Sequence, residues 1–95
     1  MKNVLIIGTG GIGRRHIKGY LSTNRASLSI VEPDDEKKNI VQKEFFIEKS
    51  YTSIEQANLD QFDLAIICSP ANMHVDAMKI CAQNNLSFMV EKPLS

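Results

Sequence analysis

Val4-Leu5-Ile6-Ile7-Gly8-Thr9-Gly10-Gly11-Ile12-Gly13 is the stretch on which the fold of this chain turns. Its first four residues are apolar, three of them β-branched, and the run stops at a glycine. Short runs of this kind suit a strand buried on both faces, the usual state inside a parallel sheet. Gly8 to Gly13 then spell G-x-G-x-x-G, and a helical segment follows from about Ile12 to Leu21, with Ile12, Ile17, Tyr20 and Leu21 available for one apolar side. Strand, glycine turn and helix in that order open a βαβ unit.

The same alternation continues outward. Leu28-Ser29-Ile30-Val31 reads as a second strand closed by Glu32-Pro33, and Asp34-Asp35-Glu36-Lys37-Lys38 opens a polar helix whose acids favour the positive end of its dipole. Phe45-Phe46-Ile47 is a weak third strand, and Thr52 or Ser53 could cap a short helix around Ile54 to Ala57. Leu64 to Cys68 is the next buried strand, broken at Ser69-Pro70. A helix from about Asn72 to Gln83 carries Val75, Met78 and Ala82 on one face and ends at Asn84-Asn85, before a fifth strand from Leu86 to Val90. Strands alternating with helices over short connections predict an α/β fold, a doubly wound parallel sheet of Rossmann type with right-handed crossovers and strand order 3-2-1-4-5. A sixth strand normally completes this fold. The expectation is therefore one domain over residues 1–95, truncated before a substrate domain.

Three motifs carry chemistry. In the first, Gly8 permits the tight turn, Gly10 lets a pyrophosphate approach the backbone, and Gly13 allows helix and strand to pack closely. Thr9, Gly11 and Ile12 complete the loop, whose free N–H groups at the helix start would hold the anion. Glu32 lies nineteen residues after Gly13 at the end of the second strand. A carboxylate there accepts hydrogen bonds from adenosine ribose hydroxyls and repels a 2′-phosphate, which favours NAD while leaving NADP possible. Arg14 or Arg15 could reach a phosphate, or both could face solvent. The second motif, Cys68-Ser69-Pro70-Ala71-Asn72-Met73-His74, follows the fourth strand, beside the point where strand order reverses and ligands collect. Ser69, Pro70, Asn72 and His74 are its candidate cofactor contacts. Asn72 could cap the helix or meet a ribose, and His74 could act at the site or merely pack near the helix start. The third motif is Glu91-Lys92-Pro93 at the end of the fifth strand. Glu91 is a further candidate cofactor contact, and Lys92 is the candidate catalytic residue, able to stabilise charge that develops on a reacting oxygen.

Bulk properties exclude other classes. Of the 95 residues, 43% are hydrophobic and 23% charged, and eleven basic residues balance eleven acidic ones. No net field draws the chain to nucleic acid or an anionic membrane, and its aromatic residues form no stacking platform on a basic surface. No apolar run approaches a bilayer span, and the one after Lys2 is too short for a signal peptide. Cys68 and Cys81 match neither a redox nor a zinc spacing, so no metal site and a reduced cytoplasmic location are expected.

The three motifs in this order resemble the Gfo/Idh/MocA family of oxidoreductases, named after glucose–fructose oxidoreductase and inositol dehydrogenase. The resemblance runs from Asn3 to Ser95. It implies a two-domain enzyme whose N-terminal domain binds NAD or NADP and whose C-terminal domain binds a sugar, polyol or sugar nucleotide. The lysine matching Lys92 orients the substrate in such enzymes, while a histidine of the other domain serves as acid and base. The implied function is the nucleotide-binding half of an NAD(P)-dependent oxidoreductase that forms homo-oligomers, with the 95-residue chain alone inactive. Ala71 departs from the family, which often has a polar residue there. The competing reading is a stand-alone NAD-binding sensor without catalysis.

Overall fold

Alternate side chains of a strand point to opposite faces of its sheet, so an uninterrupted apolar run requires cover on both sides. The computed structural model, which describes residues 2–91 and of residues 71 and 72 the backbone alone, provides that cover. Strand β1 (Lys2–Ile7) sends Val4 and Ile6 to one face, where they pack with Ile17, Leu28, Ile30, Val41 and Ile66. Leu5 and Ile7 turn to the other, against Val31, Ala65, Ile67, Ala77, Cys81 and Leu86.

Helix α1 (Gly11–Thr23) leads to β2 (Ala26–Val31), then α2 (Asp35–Glu44) to β3 (Lys49–Tyr51). Two single 3-10 turns, Ile54–Gln56 and Leu59–Gln61, precede β4 (Leu64–Ile67), and α3 (Ala71–Gln83) leads to β5 (Phe88–Val90). The five strands form one parallel sheet in the order β3-β2-β1-β4-β5, as the sequence predicts. Buried residues of α1 and α2 belong to one core and those of α3 to the other, so the helices divide between the two faces.

The caps follow local chemistry. Asp34 precedes α2, and its Oδ1 accepts from the Glu36 and Lys37 amides at 3.0 and 3.2 Å. Helix α3 ends in a Schellman turn: Asn85 takes the left-handed conformation at φ 55°, its N–H reaches the Ala82 carbonyl, and the Leu86 N–H reaches that of Cys81 at 2.9 Å.

Four expectations shift. The third strand forms at Lys49–Tyr51 rather than at Phe45-Phe46-Ile47. Phe45 and Ile47 do point inward and Phe46 is 79% exposed, so that segment alternates like a strand. Its backbone is only approaching the sheet, and the first bond to β2 is from the Glu48 N–H to the Leu28 carbonyl. Leu86 is core but not strand, because the Schellman turn uses its N–H. On α3 the buried residues are Ala77 and Cys81, while Val75 is 57% exposed and Ala82 is also exposed. Small residues thus face the sheet and let the helix lie close to it. Ser53 precedes the first 3-10 turn without a side-chain cap, and Gln56 Oε1 accepts from the Thr52 N–H instead.

Candidate functional site

Strand register determines which residues meet. Ile7 is paired with Val31 on one side and Ile67 on the other, and Ile67 with Val90. The next residue of each strand is therefore Gly8, Glu32, Cys68 or Glu91, and these four lie side by side at the carboxyl edge. Backbone bonds extend the ladder through them: Gly8 N–H to Val31 O at 2.8 Å, Cys68 N–H to Ile7 O at 2.7 Å and Glu91 N–H to Ile67 O at 2.9 Å. Beyond this row opens a cleft of about 870 Å³. The glycine loop and Ile12 line it together with Glu32, Pro33, Lys37, Thr52 to Glu55, Cys68 to Pro70, Met73, Ala77, Ile80 and Glu91.

The glycines differ in what they allow. Gly8 has φ 94°, and a Cβ there would lie 2.7 Å from the Ser69 amide nitrogen. At Gly13 a Cβ would meet the Gly8 carbonyl oxygen at 2.1 Å. These two make the turn and the helix–strand contact possible. A Cβ on Gly10 would meet nothing within 4 Å among the described residues, so the backbone of this cleft-lining residue borders open space. That space, at the open N-terminus of α1, fits an anionic group pressed against the backbone.

Glu32 is only 6% exposed and its carboxylate is held from two directions. Oε1 accepts from the Thr9 amide at 2.9 Å and the Thr9 hydroxyl at 2.7 Å, and Oε2 from the Asp34 amide at 3.0 Å. At the other side of the row, the Ser69 hydroxyl is buried with no hydrogen-bond partner among the described residues. A buried hydroxyl left unpaired costs about 1–3 kcal/mol, so this atom is suited to a polar ligand group. Between them Cys68 stays a neutral thiol: burial, with the Glu91 carboxylate adding to it, pushes its pKa up to about 11.

Of the expected contacts, the structure brings Gly8, Gly10, Gly11, Ile12, Glu32, Ser69, Pro70 and Glu91 to the cleft wall. Thr9 and Gly13 stand behind it, one holding Glu32 and the other packed on Gly8. His74 does not line the cleft; its Nε2–H donates to the Ser69 carbonyl and so secures the loop after β4. Asn72 is the second residue of α3 and Pro70 takes the cap position, so Asn72 is not the cap; its side chain lies outside the described residues, as does Lys92. Arg14 pairs with Glu44 and lies over the Phe45 ring, away from the cleft. Sequence reasoning missed His16, whose Nε2–H donates to Glu91 Oε1 at 3.0 Å and ties α1 to the end of β5. The signal was there: His16 is three residues after Gly13 and so shares its sheet-facing side. The apolar wall of Met73, Ala77 and Ile80 had no motif to mark it.

Fold and cleft together define a dinucleotide-binding domain. Residues 2–95 match the model of the GFO_IDH_MocA oxidoreductase family, NAD-binding Rossmann fold, and the chain belongs to that family. It is 26% identical over 94 residues to 4-carboxy-2-hydroxymuconate-6-semialdehyde dehydrogenase of Sphingobium sp. (strain NBRC 103272 / SYK-6), covering 97% of this chain and 30% of that enzyme. Among solved structures, a probable dehydrogenase from Thermotoga maritima superposes with a TM-score of 0.87 at 26% identity, over 98% of this chain and 28% of that one. The WlbA dehydrogenase from Bordetella pertussis, in complex with NADH and UDP-GlcNAcA, gives 0.81 at 22% identity, over 98% and 29%. The chain thus spans under a third of the length of each of these relatives.

Proposed function

We propose that this chain is the cofactor-holding part of an NAD-dependent dehydrogenase acting on a sugar, polyol or sugar nucleotide. The observation that carries the reading is the row of four strand ends, which sets the glycine loop, the Glu32 carboxylate, Ser69 and Glu91 around one cleft. In this reading the amides at the start of α1 bind pyrophosphate, and Glu32 accepts a hydrogen bond from the adenosine ribose and disfavours a 2′-phosphate. Ser69 and Pro70 border the cofactor farther along, and His74 holds their loop in place. Bound nicotinamide supplies the hydride chemistry. Lys92, assigned from the resemblance, polarises the reacting oxygen of the substrate. The sugar-type substrate is supported by the family resemblance and by the bound UDP-GlcNAcA of the Bordetella pertussis relative. The 95 residues alone hold cofactor without turning over substrate, since one wall neither positions a second reactant nor excludes water.

Titration of the chain and of its Glu32→Ala variant with NAD and NADP tests the cofactor assignment. The expected result is a preference for NAD of about tenfold or more, lost in the variant. Equal binding of both cofactors by the unmodified chain would remove Glu32 from its role.

A further inference from the structure

Thr9 is 2% exposed and does not line the cleft, yet both of its hydrogen-bond donors are spent on the cleft-lining Glu32. A carboxylate has about four lone-pair sites. Among the described residues, Oε1 of Glu32 receives two donors and Oε2 one, which leaves a single open acceptor site, on Oε2. We infer that Thr9 is a positioning residue for cofactor discrimination: it fixes Glu32 so that Oε2 alone faces the ligand. The inference rests on the reading of Glu32 given above.

The physical consequence concerns freedom more than charge. A carboxylate with one loose oxygen could rotate away from a 2′-phosphate and soften the repulsion. Three bonds from two separate backbone segments, the glycine loop and the start of α2, prevent that rotation. A neutral 2′-hydroxyl needs only the open site and can donate to it. The second residue of the glycine motif would thus set selectivity without touching either cofactor, acting across the gap between β1 and β2.

Binding of NAD and of NADP to the chain, to Thr9→Val, to Thr9→Ser and to Glu32→Gln tests the inference. Valine keeps the shape and the amide bond and removes the hydroxyl donor; serine keeps the donor. Thr9→Val should weaken NAD while leaving NADP unchanged or tighter, lowering the NAD-to-NADP preference about tenfold, as loss of one hydrogen bond to a charged group predicts. Thr9→Ser should stay within about twofold of the unmodified chain. Equal weakening of both cofactors in Thr9→Val, or an amide spectrum showing that it no longer folds, would make Thr9 merely structural and overturn the inference. If Glu32→Gln keeps the full preference, the reading of Glu32 itself fails; if it loses the preference while Thr9→Val keeps it, only the role of Thr9 fails. A readout without cofactor completes the test. The residue 9 amide proton should move upfield in Glu32→Gln, and an unchanged shift would contradict the bond on which the inference stands.

Discussion

Replacing Gly13 with alanine should unfold much of what Gly10→Ala leaves intact, although both lie in one motif. At position 13 the added Cβ would stand 2.1 Å from the Gly8 carbonyl oxygen, 3.1 Å from its carbon and 3.6 Å from Ile6 Cγ2. Carbon–oxygen contact becomes comfortable near about 3.3 Å, so the approach falls short by more than 1 Å. Both nearest atoms are backbone, and relief requires α1 to lift from β1 or the Gly8 turn to open. Overpacking costs about 1–3 kcal/mol, and a clash with no side chain to swing aside belongs at or above the top of that range. Alanine returns about 1 kcal/mol as the better helix former, for a net loss of about 2 kcal/mol or more. In a domain of this size that lowers the melting temperature by roughly 8 to 16 °C. At position 10 the backbone, φ −70° and ψ −166°, accepts alanine, and the Cβ meets nothing within 4 Å among the described residues. There the lost N-cap preference of about 0.5–1 kcal/mol is offset by a similar gain from stiffening the unfolded chain. Thermal melts of the two variants, followed by circular dichroism, check the contrast. Gly10→Ala should melt near the parent and bind NAD at least about tenfold more weakly, since its methyl takes up open space beside the cleft-lining backbone. A Gly13→Ala chain that melts with the parent would show that the contact between α1 and the Gly8 turn tolerates a methyl group.

Other expectations concern titration, core and cap. Burial raises the pKa of both thiols, that of Cys68 to about 11, so the fold favours their neutral forms. That stability is complete below the ordinary thiol value of 9.0 and is lost as pH rises through about 11. Denaturation midpoints across that window should fall more steeply for this chain than for a Cys68→Ala/Cys81→Ala variant. Ile66 is fully buried between β1 and β5, and Ile66→Ala should cost about 2–5 kcal/mol by urea denaturation. Asn85→Ala should cost about 1–2 kcal/mol, because alanine resists the left-handed conformation held at φ 55°, whereas Asn85→Gly should cost nothing.

Much of this fold was legible because its signals are strong and local. The apolar runs at Val4–Ile7 and residues 64–67, bounded by turn residues, suit a doubly covered sheet, and Gly8 and Gly13 announce the turn that their steric surroundings require. The elements that moved lacked such signals. Phe45 and Ile47 bury their side chains before their backbone joins the sheet, so apolar alternation marked a packing segment and not the ladder. Val75 is apolar yet exposed, while Ala77 and Cys81, too small to stand out, form the face that α3 buries. At the site, sequence located the strand ends and their polar residues. It could not show that Thr9 grips Glu32, that His16 reaches Glu91, or that His74 bonds a backbone carbonyl, since each depends on distances between elements far apart in the chain.

In the proposed reading, the cleft at the carboxyl edge of the sheet holds NAD against the glycine loop. Following backbone amide shifts while NAD is added tests it most directly. The amides of Gly8, Gly10, Gly13 and Glu32 should move together and saturate, while those at the amino-terminal edge, such as Ser27 and Lys49, stay in place. A folded chain whose glycine-loop amides do not respond to millimolar NAD, or whose responding amides lie at the opposite edge, would contradict it.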